Sequence, residues 1–155
     1  MDRSGWIWYF AGLFVLGALA VVTPWVFNLR QQLQPEVLAE CRALWRQRGP
    51  RDYDLEYGER IDVDPRRDEF QVEVRGGKVT AARCNGQPTT EPVWTIDAMF
   101  DHIEKNLQGD RDAGQRHYTV AVFDATDGHP LRYVRRVRGS HDRLEWRVRV
   151  RPVTD

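Results

Sequence analysis

Serine is almost missing from this chain of 155 residues: Ser4 and Ser140 are the only two. Serine-nucleophile chemistry is therefore nearly excluded. Ser140-His141-Asp142 holds triad residue types, but as consecutive neighbours. A triad needs a base facing the nucleophile and an acid behind the base, brought together from separate elements. The stretch reads instead as a hydrophilic hairpin loop. Cysteine is equally scarce, with Cys41 and Cys84 alone, too few for a disulfide-stapled scaffold. The two cysteines and His102, His117, His129 and His141 show none of the paired spacing of zinc sites. Cys41 reads as a small core residue, and the sequence leaves open whether it pairs with Cys84. No phosphate-binding loop, dinucleotide fingerprint, CxxC pair, internal repeat or low-complexity tract is present. Basic and acidic residues balance at 23 each, which argues against a chain built as a whole to bind nucleic acid. No catalytic set, metal site or cofactor is expected.

Charge is missing locally as well. From Trp6 to Phe27 no side chain is charged, and a helix of that length rises roughly 33 Å, enough for a hydrocarbon core of about 30 Å. Trp6, Trp8 and Tyr9 cluster at one end and Trp25 at the other, where amphipathic rings favour the headgroup level. Pro24 bends or ends the last turn. The run, with its flanks 1–30, reads as an uncleaved membrane anchor. A cleaved signal peptide competes, because Ala18-Leu19-Ala20 fits the cleavage pattern, yet cleavage there would leave Val21, Val22, Trp25 and Phe27 exposed. A buried core helix is the third reading. A five-residue head before a large domain points to a single pass through the cell membrane, domain on the non-cytoplasmic side.

Residues 31–155 are enough for one modest core. Gln31 to Arg48 reads as an amphipathic helix with Pro35 in its first turn and Gly49-Pro50 as its stop. Tyr53, Leu55 and Tyr57 alternate with acids as in a half-buried strand. Phe70, Val72 and Val74 alternate with Gln71, Glu73 and Arg75 ahead of a Gly76-Gly77 hairpin and a returning strand from Lys78 to Arg83. Asn85-Gly86 makes the next turn, and Pro88 and Pro92 fall in a linker. Thr95 caps a second helix whose Ile96, Met99, Phe100, Ile103 and Leu107 share one face, with Asp101 and Lys105 paired outside and Gly109 ending it. Strands follow at Tyr118–Phe123, Leu131–Arg138 and Arg143–Arg151, the last with Leu144, Trp146, Val148 and Val150 inward. The order predicts an α+β fold: an N-terminal transmembrane helix, then an antiparallel sheet with two helices on one face.

The segments Tyr53-Asp-Leu-Glu-Tyr57, Phe70-Gln-Val-Glu-Val-Arg-Gly-Gly-Lys-Val79, Thr95-Ile-Asp-Ala-Met-Phe100 and Asp127-Gly-His-Pro130 resemble a family of small exported bacterial domains of unknown function. That family is itself similar to PepSY-type modules. The resemblance covers roughly residues 41–138 and rests on structural motifs. It implies the fold and an exported location, and it implies no activity. The apparent anchor and the arginine-rich last strand depart from the family pattern.

Two acidic groups invite a metal reading: Asp62, Asp64, Asp68 and Glu69, and the turn with Asp124, Asp127 and His129. The first lacks the glycine and ligand order of a calcium loop, and turn-forming aspartates explain both. Charge segregation is the more telling feature. Arg132, Arg135, Arg136, Arg138, Arg143, Arg147, Arg149 and Arg151 crowd the last two strands, whereas 52–112 is acidic. Pairing of those strands would set Arg132, Arg136 and Arg138 on one outer face with Arg147 and Arg149. The expected function is a membrane-anchored binding or interaction module using this face, its partner an acidic protein or anionic lipid and not a nucleic acid. The alternatives are a structural accessory subunit of a membrane complex and a hydrolase centred on the Asp124–His129 turn.

Overall fold

The structure, a computed structural model, describes residues 13–14, 32–61, 66–114, 117–139, 141 and 143–153. The expected anchor, Asp62, Asp64, Ser140 and Asp142 lie outside the described residues, apart from Leu13 and Phe14, which are helical and exposed. Among the described residues no helix is long and apolar enough to cross a membrane. The chain divides into two compact units, 1–32 and 33–155; the second holds two helices and a sheet.

Helix α1 (Pro35–Arg48) begins where proline's fixed φ suits a first turn, later than the expected Gln31. Glu36 sits at its positive end and Arg46 and Arg48 at its negative end. The helix ends at Gly49, where the backbone turns extended and a Cβ would overlap the Trp45 ring and carbonyl. Helix α2 (Ile96–Asp112) starts at the Thr95 hydroxyl, which accepts from Ala98 N at 3.2 Å. It runs one turn past the expected stop at Gly109, and the added turn places Asp110 in the interior. Asp101 takes Arg42 of α1 rather than Lys105.

Seven strands form one antiparallel sheet: β1 (Tyr53–Ile61), β2 (Asp68–Arg75), β3 (Lys78–Cys84), β4 (Gln87–Pro88), β5 (His117–Phe123), β6 (Pro130–Val137) and β7 (Arg143–Pro152). Their spatial order is β4-β3-β2-β1-β7-β6-β5, so two meanders join where β1 pairs with β7. The core lies between the helices and one sheet face. It gathers Leu38 and Trp45 of α1, the apolar stripe of α2, and Leu55, Tyr57, Val72, Val74, Tyr133 and Trp146 of the sheet. Tyr53 and Tyr57 also dock the start of α2: their hydroxyls accept from Ile96 N at 3.3 Å and Trp94 N at 3.1 Å. Burial raises the pKa of both phenols above its ordinary value. The expected α+β class, with an antiparallel sheet and two helices, is what the described residues show.

Candidate functional site

The β6–β7 register sets Arg132 opposite Arg147 and Arg136 opposite Arg143. Strand alternation puts Tyr133, Trp146 and Val148 under the helices, and so turns Arg132, Arg136, Arg143, Arg147 and Arg149 to the uncovered face. Arg138 lies beyond β6, exposed and outside this array. Arg135 points the other way. On the covered face its guanidinium is held by both carboxylate oxygens of Asp110, with Nε to Oδ2 at 2.9 Å. Asp110 is buried, with His117 Nδ1 at 4.0 Å from its Oδ2.

Glu145 belongs to the uncovered face but is only 4% exposed. Its carboxylate is ringed by guanidinium groups: Arg143 at 3.1 Å, Arg132 at 3.6 Å, and Arg67 and Arg147 at 3.7 Å. Only Arg143 is hydrogen-bonded to it; the other three are held by charge. Burial by itself raises the pKa of this carboxyl. The Arg143 hydrogen bond and the charges of Arg132, Arg143 and Arg67 outweigh burial and hold it below its ordinary 4.5. Among the described residues, four guanidiniums thus converge on one carboxylate. The Nε atoms of Arg67 and Arg143 are buried without a protein acceptor. Arg132 and Arg147 remain 53% and 62% exposed.

Gly58 explains how Arg67 reaches the ring. It faces Arg147 across the β1–β7 pair, and a Cβ at this position would overlap the Arg67 stem. The glycine thus gives passage to a side chain crossing the strand. A cleft of about 230 Å³ opens there, lined by Gly58, Arg67, Arg147 and Arg149 together with Glu56 and Glu69. Whole-ligand pockets run from ~300 to 1,000 Å³, so this one has room for a single small group. On the β1 side Glu56 takes Arg149 at 3.5 Å and Arg151 at 3.3 Å, neither of them a member of the Glu145 ring. The sequence reading missed Arg67 and the depth of Glu145. The interruption of β1 alternation by Gly58 was the available signal for a close approach.

The Asp124–His129 turn is tightly built. Asp124, Asp127 and His129 bring their ligand atoms within 4.8 Å of one another. Asp124 Oδ1 accepts from Thr126 N at 2.7 Å and Asp127 Oδ1 from His129 N at 3.0 Å, and the Thr126 hydrogen bond is the leading cause that lowers the Asp124 pKa. His129 is buried edge-on to Trp45, with its Nδ1 on Asp127. Gly128 (φ +84°) lies so close to the Cys41 carbonyl that no side chain fits. A second polar cluster sits on the covered face: Glu59 Oε1 accepts from Trp146 Nε1 at 2.7 Å and Trp94 Nε1 at 3.1 Å. His102 packs on both indoles, and burial lowers its pKa.

The described unit is thus an α+β domain with one sheet face under helices and a basic, uncovered half-face on β6 and β7. The model of a family of unknown function, DUF6174, matches residues 37–132, more than half of the chain, and the chain belongs to that family. No curated protein and no solved structure matches it. The matched segment includes Gly58, Arg67 and the Asp124–His129 turn and ends before β7, which carries Glu145, Arg147 and Arg149.

Proposed function

We propose that this chain is a membrane-held interaction module whose uncovered sheet face engages an anionic partner, an acidic protein segment or anionic lipid. The Glu145 ring carries the reading. Like charges opposite one another on a sheet are disfavoured, by up to about 1 kcal/mol per pair, and Arg132 and Arg147 stand in that relation. One carboxylate hydrogen-bonds one of the four guanidiniums around it, so an arriving phosphate or carboxylate supplies the acceptors that Glu145 does not.

The uncharged, aromatic-flanked run from Trp6 to Phe27 supports a single-pass anchor in the cell membrane, with the domain on the non-cytoplasmic side. The likeness to PepSY-type modules belongs to the same proposal and rests on helices paired with an antiparallel sheet. A structural accessory subunit of a membrane complex is the alternative. A hydrolase centred on the Asp124–His129 turn has less support, because its hydrogen bonds are those of turn-forming aspartates.

Arginine labelling tests the proposal. The full chain is placed in nanodiscs of phosphatidylcholine, with or without phosphatidylglycerol, and treated with phenylglyoxal in the presence or absence of poly-glutamate. Slower labelling of Arg132 and Arg147 with phosphatidylglycerol assigns lipid; slowing by poly-glutamate alone assigns an acidic protein. Labelling at the same rate under all conditions removes the proposal.

A further inference from the structure

A second surface, separate from the arginine ring, lies between the helices. Trp45, near the end of α1, packs on Tyr53, whose hydroxyl meets the first residue of α2. Arg42 reaches Asp101 and Glu104 one to two turns further along α2. The two helices therefore run in opposite directions. Between them opens a trough of about 640 Å³. From Pro35 to Gln47 it follows α1 for roughly 18 Å at about 1.5 Å per residue. Its floor is sealed by Leu38 and Leu107, both buried. Ala39 and Ala43, one turn apart on one wall, are exposed and small enough to let another backbone approach closely.

Charge decides what fits. Arg46 stands at one end of the trough and Arg111 at the other, and among the described residues neither makes an ion pair. Arg42 stands between them, tied to Asp101 and Glu104. A single-chain amphiphile has one anionic head and would leave the far guanidinium unmatched. A helix carries carboxylates along its length, and its apolar stripe at i, i+3, i+4 and i+7 matches a trough between two helices. The segment 1–32 contains only one acidic residue, Asp2, and does not meet the charge requirement. We infer that the α1–α2 trough docks an acidic amphipathic helix of a partner protein, with its apolar stripe against Ala39 and Ala43 over the Leu38–Leu107 floor and its carboxylates on Arg46 and Arg111.

The probe is a designed peptide of about 14 residues, ~21 Å as a helix, with leucines at i, i+3, i+4, i+7 and i+11 and glutamates on both flanks. Its fluorescence anisotropy is followed against the full chain in phosphatidylcholine nanodiscs, with empty nanodiscs subtracted. The expected result is saturable binding of the acidic peptide, no binding of its lysine-flanked counterpart, and at least about tenfold weaker binding to Ala43→Trp and to Arg46→Glu/Arg111→Glu. These positions are exposed, and circular dichroism checks the fold of each variant. Arg147→Glu/Arg149→Glu should bind the peptide as wild type does, which separates this surface from the arginine ring. Equal binding of both peptides, no binding of the acidic one, or indifference to Ala43→Trp overturns the inference.

Discussion

Replacing Glu145 by glutamine keeps its volume and one acceptor oxygen but removes the only negative charge within a ring of four guanidiniums. Breaking a fully buried ion pair by removing one partner costs about 3–5 kcal/mol. Two features reduce that here: Arg132 and Arg147 are more than half exposed and can turn to water, and the amide still accepts from Arg143. A loss of about 2 kcal/mol results, the scale of one charge-assisted hydrogen bond with a buried partner. For a domain of this size that corresponds to a fall in Tm of about 6–8 °C. Thermal unfolding of the full chain in phosphatidylcholine nanodiscs, followed by the fluorescence of the neighbouring Trp146, measures it.

The pH dependence has a definite sign. The folded pKa of Glu145 lies below its ordinary 4.5, so its contribution to stability is fully present above that value and is lost as pH falls through the folded pKa. Wild type and Glu145→Gln should therefore converge below about pH 4.5. Added sulfate should restore part of the variant's Tm at neutral pH by entering the ring. A variant as stable as wild type at pH 7 would refute the ring as an electrostatic unit.

Other expectations test the frame around the ring. Gly58→Ala should displace Arg67 and lower stability by about 1 kcal/mol, read as a Tm shift accompanied by faster phenylglyoxal labelling of Arg67. Gly128→Ala has both a left-handed backbone and the Cys41 carbonyl against it; denaturant unfolding should show a loss of about 2–4 kcal/mol. Asp110→Asn leaves Arg135 without its carboxylate on the covered face, with an expected cost of about 3 kcal/mol by the same assay. Burial holds the His102 pKa below its ordinary 6.5, so stability should decline as pH falls through that value, because the unfolded chain takes up the proton first. His102→Gln should remove that decline.

Where one periodicity runs unbroken, the sequence was enough. The α2 stripe from Ile96 to Leu107 and the alternation of β7 each fix an element and its buried side. Pairing across long separations was not readable. Alternation in β1 and β7 says which side chains share a face, not that Glu56 lies beside Arg149. Periodicity also gives direction without depth. It turns Glu145 outward, yet the carboxylate lies buried among guanidinium groups. Arg67 belongs to a segment without period, so only the close approach at Gly58 brings it into the site. The short strand β4, which includes Pro88, sits at the sheet edge, where a proline is tolerated, and reads from sequence as linker.

Charge reversal on the uncovered face tests the central claim most directly. Arg147 and Arg149 are exposed, and Arg147→Glu/Arg149→Glu should remain folded, which circular dichroism and a cooperative thermal transition check. The binding isotherm of fluorescent poly-glutamate to the full chain in phosphatidylcholine nanodiscs, alongside phenylglyoxal protection in phosphatidylglycerol nanodiscs, is the measurement. The account predicts that the folded double variant loses at least about tenfold in affinity for poly-glutamate or loses its lipid-dependent protection. A folded double variant that matches wild type in both contradicts it.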